Sequence, residues 1–158
     1  MDHMVASEDP LAVHARLRAL SVAYASGVDR RDRDRLLSAF HPDASLAVVT
    51  DGGPHEPRRV LQGHAELGRI VELIARFPKT FHMLGQASYE VDGGDAEGEV
   101  YCIAHHLDPA AGDGATMVMY IRYLDRYRAE DGGVWRIAER RVVVDWQATY
   151  AHRPGAAI

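Results

Sequence analysis

The chain has 158 residues, 47% of them apolar and 26% charged, with a formal net charge of −5. That length favours one domain with a sizeable core, and the acidic balance argues against nucleic acid as a partner, because phosphate binding wants a basic surface. The one cysteine, Cys102, excludes an intrachain disulfide; with no basic-then-apolar leader and no run near the roughly 20 apolar residues of a membrane span, the reading is a cytoplasmic protein that does not enter a membrane.

Residues 1–10 are polar and read as a flexible start, and residues 151–158 as a tail, leaving 11–150 as the domain. From Leu11 to Gly27 the apolar residues Leu11, Val13, Leu17, Leu20, Val22 and Tyr24 recur near helical spacing. A second helix is expected from Arg33 to Phe40, capped by Asp32 and stopped by His41-Pro42-Asp43. A short strand, Ala44 to Val49, ends at the turn Asp51-Gly52-Gly53-Pro54. Gly63 to Phe77 reads as a third helix, with Leu67, Ile70, Val71 and Ile74 on one face and Pro78 closing it. Strands follow: Thr80–Val91, the hairpin signal Asp92-Gly93-Gly94-Asp95, Ala96–Leu107, Ala115–Arg128, and Val134–Trp146 after Asp131-Gly132-Gly133. Helices first and a meander afterwards indicate an α+β fold. A strongly curved, mainly antiparallel sheet with N-terminal helices across its concave side makes a cone-shaped α+β barrel, whose interior is a natural ligand pocket.

Several residues in this frame bear chemistry. Asp29, in Gly27-Val28-Asp29-Arg30-Arg31-Asp32, is either a turn aspartate between two helices or a functional carboxylate. His82, in Phe81-His82-Met83-Leu84-Gly85, is either a core or rim residue or a general acid/base, its type titrating near neutrality. A buried carboxylate would orient its ring, and Asp29 fills that part if the fold brings the two together. In the second strand, strict alternation puts Ala96, Gly98, Val100, Cys102, Ala104 and His106 on one small apolar face, and Tyr101 and His105 on the other. His106 then points inward. Of Arg140 and Arg141, either one enters the pocket, where it needs an anion, a carboxylate partner or developing negative charge on a substrate, or both serve in surface ion pairs. Tyr24, Tyr101, Tyr120 and Trp146 are candidates to line the cavity, against simple core packing. No cofactor and no metal are expected, because neither a Gly-rich phosphate loop nor a ligand spacing such as H-E-x-x-H is present.

The run Tyr24-x4-Asp29-x2-Asp32 followed by Phe40-x-Pro42-Asp43-Ala44 resembles the opening of SnoaL-like (nuclear-transport-factor-2-like) domains. So do Phe81-His82-x2-Gly85, Ala96-x-Gly98-x2-Tyr101, and the ending Tyr123-x-Asp125-x-Tyr127-Arg128-x2-Asp131-Gly132-x2-Trp135-Arg136-Ile137-x2-Arg140. Within that superfamily the chain is most similar to the branch of scytalone dehydratase, hexachlorocyclohexane dehydrochlorinase and bile-acid 7α-dehydratase. The resemblance implies a His–Asp dyad at His82 and Asp29, a pocket arginine at Arg140, a supporting Tyr24, and a second histidine at His106. Val28 stands where scytalone dehydratase has a tyrosine, which points away from scytalone-like substrates. What the resemblance implies is a cofactor-independent lyase acting on an apolar small molecule. Val142, Val143 and Val144 offer the last strand an outer apolar face as well as a core face, so a homo-oligomer is expected, a trimer by the resemblance or else a dimer. Isomerase or polyketide-cyclase chemistry and non-catalytic binding are the alternatives on the same scaffold.

Overall fold

The computed structural model describes residues 9–50, 57–109 and 114–151. The Asp51–Pro54 turn, most of the two terminal segments and part of the loop before Ala115 lie outside them. Helix α1 spans Pro10–Arg30. Asp9 caps it by accepting from the Leu11 amide at 3.1 Å, and Pro10 occupies the first turn, where its missing N–H costs nothing. Val13, Leu17, Ser21, Tyr24 and Val28 form its buried stripe. Gly27 lets the next helix come close, since a Cβ there would sit 2.6 Å from the Leu36 amide nitrogen.

The helix ends at Arg31, which is left-handed at φ 58°, a conformation that costs a non-glycine residue about 1–2 kcal/mol. Its guanidinium offsets that cost. Nη1 donates to Val28 O at 2.6 Å and to Thr80 Oγ1 at 3.0 Å, and Nη2 donates to Phe77 O at 2.7 Å. These bonds tie the end of α1 to the start of strand β3.

Helix α2, Arg33–Leu37, is capped by Asp32, whose side chain accepts from the Arg35 amide at 3.0 Å. It is shorter than the sequence suggests, because the Ala39 carbonyl already accepts from the Ile137 amide of the sheet. Phe40 therefore opens strand β1, Phe40–Thr50, while still facing the core. The register slips between Phe40 and Ser45, around Pro42, which has no N–H for a ladder.

Strand β2, Arg59–Gln62, is not anticipated by the sequence, as its one inward residue, Leu61, gives no period to read. The expected single helix over 63–77 is broken into α3, Gly63–Leu67, and α4, Ile70–Leu73. Gly68 stands at the break with the Arg33 guanidinium pressed against it. Leu67 is buried, and Ile70, Val71 and Ile74 pack on the core as expected.

Strands β3 (Thr80–Asp92), β4 (Asp95–Asp108), β5 (Ala115–Glu130) and β6 (Val134–Ala151) complete a six-stranded sheet of order β2-β1-β6-β5-β4-β3. Every pairing is antiparallel except β1 with β6. Register shifts interrupt β3 between Leu84 and Ala87, and the β5–β6 ladder at Tyr120/Ile121 and Arg126/Tyr127. Each adds bend and twist to the sheet. Helix α1 packs on the inner face, where Val100, Cys102, Ile121, Tyr123 and Ile137 form the core with Leu17, Tyr24 and Val28.

Candidate active site

The clamp at Arg31 delivers Asp29, in the last turn of α1, to the first residues of β3. There the Asp29 carboxylate is saturated with donors. Oδ1 accepts from His82 Nδ1 at 2.6 Å and from Thr80 Oγ1 at 2.9 Å, and Oδ2 accepts from the His82 amide at 2.9 Å. Arg31 in turn donates to Thr80, so a short relay orients the carboxylate from behind. Burial alone would raise the Asp29 pKa, but the hydrogen bonds from the His82 ring and backbone, the His82 charge and the Thr80 hydroxyl together hold it below its ordinary value. The His82 side chain is 7% exposed. With Nδ1 committed to Asp29, Nε2 is the ring nitrogen left for chemistry.

His106 lies beside it. Its ring centroid is 5.8 Å from that of His82, edge-on, and 4.8 Å from Phe77. Strand β4 carries no bulge, so the alternating face of Ala96, Val100, Cys102, Ala104 and His106 is inward as read from the sequence. Burial, aided by the neighbouring His82 charge, pushes the His106 pKa down to about 4. The ring is therefore neutral at physiological pH, and its buried Nδ1 has no hydrogen-bond partner.

That shift predicts an acid limb in stability. An unfolded histidine accepts a proton near pH 6.5, while the folded His106 refuses one until about pH 4. The contribution is fully present above pH 6.5 and is lost as pH falls towards 4, up to about 3 kcal/mol in all. Urea midpoints across this window should fall steeply for the wild type and less steeply for His106→Asn. Parallel profiles would contradict the assignment.

Arg140, not Arg141, faces inward; Arg141 is exposed. Arg140 makes a buried two-pronged ion pair with Asp125, Nε to Oδ1 at 2.8 Å and Nη2 to Oδ2 at 2.6 Å. Nη2 also donates to Ser21 Oγ at 2.9 Å, and the Tyr127 hydroxyl donates to Asp125 Oδ2 at 2.7 Å. The guanidinium lies 4.6 Å from the Tyr24 ring centroid and 4.2 Å from that of Tyr123. Burial pushes the Tyr24 phenol up to about 12, against the pull of Arg140, so it remains a neutral hydroxyl. The sequence motif contains Asp125 without giving it a role; the signal for one is an aspartate alternating with the inward residues Ile121, Tyr123 and Tyr127.

Tyr101, Tyr120 and Trp146 do not line the interior. Tyr101 belongs to the outer face of β4, Tyr120 is opposite Ile103 on that same face, and Trp146 stacks on Tyr120 with centroids 4.3 Å apart. Two clefts of about 400 and 560 Å³ also open elsewhere, along Glu90, Glu97, Arg126 and Glu139, and neither is lined by Asp29 or His82. Among the described residues no three His, Cys, Asp or Glu side chains gather as a metal site, and no helix is long and apolar enough to cross a membrane.

A curved sheet closed by one long helix, with Asp29 and His82 hydrogen-bonded where the end of that helix meets β3, makes a cone-shaped α+β domain. The chain belongs to the SnoaL-like domain family, whose profile matches residues 9–141. Among curated proteins, the uncharacterized protein Rv2910c of Mycobacterium tuberculosis is 29% identical over 144 residues, covering 89% of this chain and 90% of the relative. Among solved structures, hexachlorocyclohexane dehydrochlorinase LinA-type3 from Novosphingobium barchaimii superposes with a TM-score of 0.78 at 19% identity, over 94% of this chain and 97% of the other. A protein provisionally named as a scytalone dehydratase, from Novosphingobium aromaticivorans, gives a TM-score of 0.74 at 18% identity with the same coverage. At such identities these two likenesses speak for the fold.

Proposed function

We propose that this chain is a cofactor-independent lyase that eliminates water or a halide from a small apolar molecule. The observation that carries the reading is the 2.6 Å contact between Asp29 and His82 at the edge of an apolar interior. The names of the two structural neighbours, a dehydrochlorinase and a dehydratase, point the same way.

In this reading His82 Nε2 removes a proton from the carbon next to the leaving group. The C–H electron pair becomes the new C=C bond, and the leaving group departs with its own bonding pair. A halide leaves as the anion; a hydroxide takes the proton back from imidazolium and leaves as water. Asp29 fixes the ring tautomer and stabilises the imidazolium. His106, neutral, meets the substrate beside the base. Tyr24 and the unpartnered Nη1 of Arg140 help to stabilise developing negative charge. The test is a panel of cyclic secondary alcohols and halides with an acidic neighbouring C–H, followed by the absorbance of the conjugated product with and without EDTA. No product from any member, or product formation abolished by EDTA, overturns the reading.

The same proposal includes assembly. Phe81, Met83, Ile103, Trp146 and Tyr150 are exposed on the outer sheet face, with Phe81 at 59% and Trp146 at 56%. A patch of this kind on a soluble domain calls for a cover. Copies of this chain are the proposed cover, as a trimer with a dimer as the alternative. Light scattering at micromolar concentration should give two or three times 17.5 kDa, and Trp146→Glu should shift the mass towards one chain. A wild-type monomer would refute it.

A further inference from the structure

The last turn of α1 is already closed by its own backbone. The Arg31 amide donates to Val28 O at 3.2 Å, and the Asp32 amide donates to Gly27 O at 2.9 Å. The cap needs a left-handed residue, at φ 58°, and glycine would supply one without the Cβ penalty. An arginine stands there instead. Its side chain adds little to the cap, because its bond to Val28 O goes to a carbonyl the backbone has already paired. Its other two bonds leave the helix altogether, to Thr80 Oγ1 at 3.0 Å and to Phe77 O at 2.7 Å. A side chain kept on a costly backbone conformation points to a role beyond the local fold.

Both of those bonds lead to the acid–base pair. A hydroxyl has one proton. With its oxygen accepting from Arg31 Nη1, Thr80 directs that proton to Asp29 Oδ1 at 2.9 Å, and Oδ1 is the oxygen that accepts from His82 Nδ1 at 2.6 Å. The guanidinium therefore heads a chain of hydrogen bonds that runs to the imidazole, each link polarising the next. The bond to Phe77 O fixes the backbone of a residue whose ring is 4% exposed and packs on His106 at 4.8 Å. His106 in turn lies edge-on to His82 at 5.8 Å. One guanidinium thus reaches the imidazole from two sides, through the carboxylate behind it and through the rings beside it.

We propose that Arg31 is a positioning residue for the proton transfer: through the Thr80 hydroxyl it sets the direction of the Asp29 carboxylate, and through Phe77 it holds the aromatic wall beside His82. The inference rests on reading Asp29 and His82 as the acid–base pair, and it adds the residue that keeps that pair in working geometry. A clamp of structural value alone would act on the stability of the helix–strand junction. A positioning residue acts on the imidazole and on the rate, where a misplacement of about 1 Å can cost about 10²-fold.

Arg31→Gly separates the two roles, since glycine accepts the left-handed cap and keeps both backbone bonds. Its circular dichroism should match the wild type. Proton NMR of the intact protein follows the Nδ1–H of His82, a strongly deshielded resonance in a bond of 2.6 Å, identified by its loss in His82→Ala. In Arg31→Gly that resonance should shift or broaden away, and millimolar guanidinium, occupying the vacated space, should restore it. Thr80→Ala should move it too, with the cap intact. For whichever substrate of the elimination panel reacts, Arg31→Gly should lower kcat by about 10–100-fold with KM changed far less, and guanidinium should recover part of the loss. A resonance unchanged in folded Arg31→Gly overturns the proposal; should that variant not fold, a resonance unchanged in Thr80→Ala does so. A wild type without the resonance overturns it as well. A panel that yields no product sinks the elimination reading alone, because the resonance is read without substrate.

Discussion

His82→Ala should lower elimination turnover by about 10²–10⁴-fold, the usual worth of a positioned general base, while the fold survives. The survival follows from the donors around Asp29. With the imidazole removed, its carboxylate keeps the Thr80 hydroxyl and the residue-82 amide, at 2.9 Å each. Circular dichroism and the urea midpoint should therefore stay near wild type while product formation collapses. Asp29→Asn should be severe for a different reason. An amide cannot stabilise imidazolium, and its NH₂ group facing Nδ1 would favour the tautomer that leaves Nε2 protonated and unable to accept a proton. Thr80→Ala should be milder, since it removes one of three donors and the relay from Arg31 but leaves the Asp29–His82 contact. Activity retained in His82→Ala would remove the mechanism and leave the fold and family untouched.

The meeting of Asp29 and His82 was legible in the sequence only as a condition. Fifty-three positions separate them, and what joins them is a left-handed Arg31 whose side chain clamps the end of α1 to β3. Arginine gives no local signal for that conformation, so the clamp could not be read in advance. Side-chain parity shows the same division. Strand β4 alternates without interruption, and its inner face, His106 included, followed directly from the sequence. Strand β6 does not alternate. Tyr127 pairs with Ile137 and Arg126 with Glu139, so Ala138 is extra and the parity flips. Ile137 and Arg140 can then both face inward, which settles the choice between Arg140 and Arg141. A second extra residue, Asp145, flips it again between Val144 and Trp146. Trp146, in line with Arg140 and Val144 by simple alternation, is thereby sent outside to stack on Tyr120. Bulges are set by the pairing of two strands, and neither strand alone declares them.

The largest loss of stability should come from Asp125→Ala. The pair it breaks has both side chains at 0% exposure, and Arg140 would be left charged among Tyr24, Phe40 and Tyr123 with only Ser21 as a partner. Burial works against that charge and Asp125 is what sustains it, holding the Arg140 pKa above its ordinary value. Removing one member of a buried pair typically costs about 3–5 kcal/mol, because the survivor keeps its desolvation penalty and loses its compensation. For a chain of this length that corresponds to roughly 6–20 °C in melting temperature. The same physics predicts that the double variant Asp125→Leu with Arg140→Met recovers most of the loss, since it leaves neither charge behind. Chemical denaturation of the wild type, both singles and the double closes a cycle that measures the coupling directly. A cost below about 1 kcal/mol for Asp125→Ala would mean that water reaches Arg140 and the cone interior is wet. A double variant no more stable than Asp125→Ala would mean that the hydrogen bonds of this pair to Ser21 and Tyr127, rather than its charge balance, hold the interior in place.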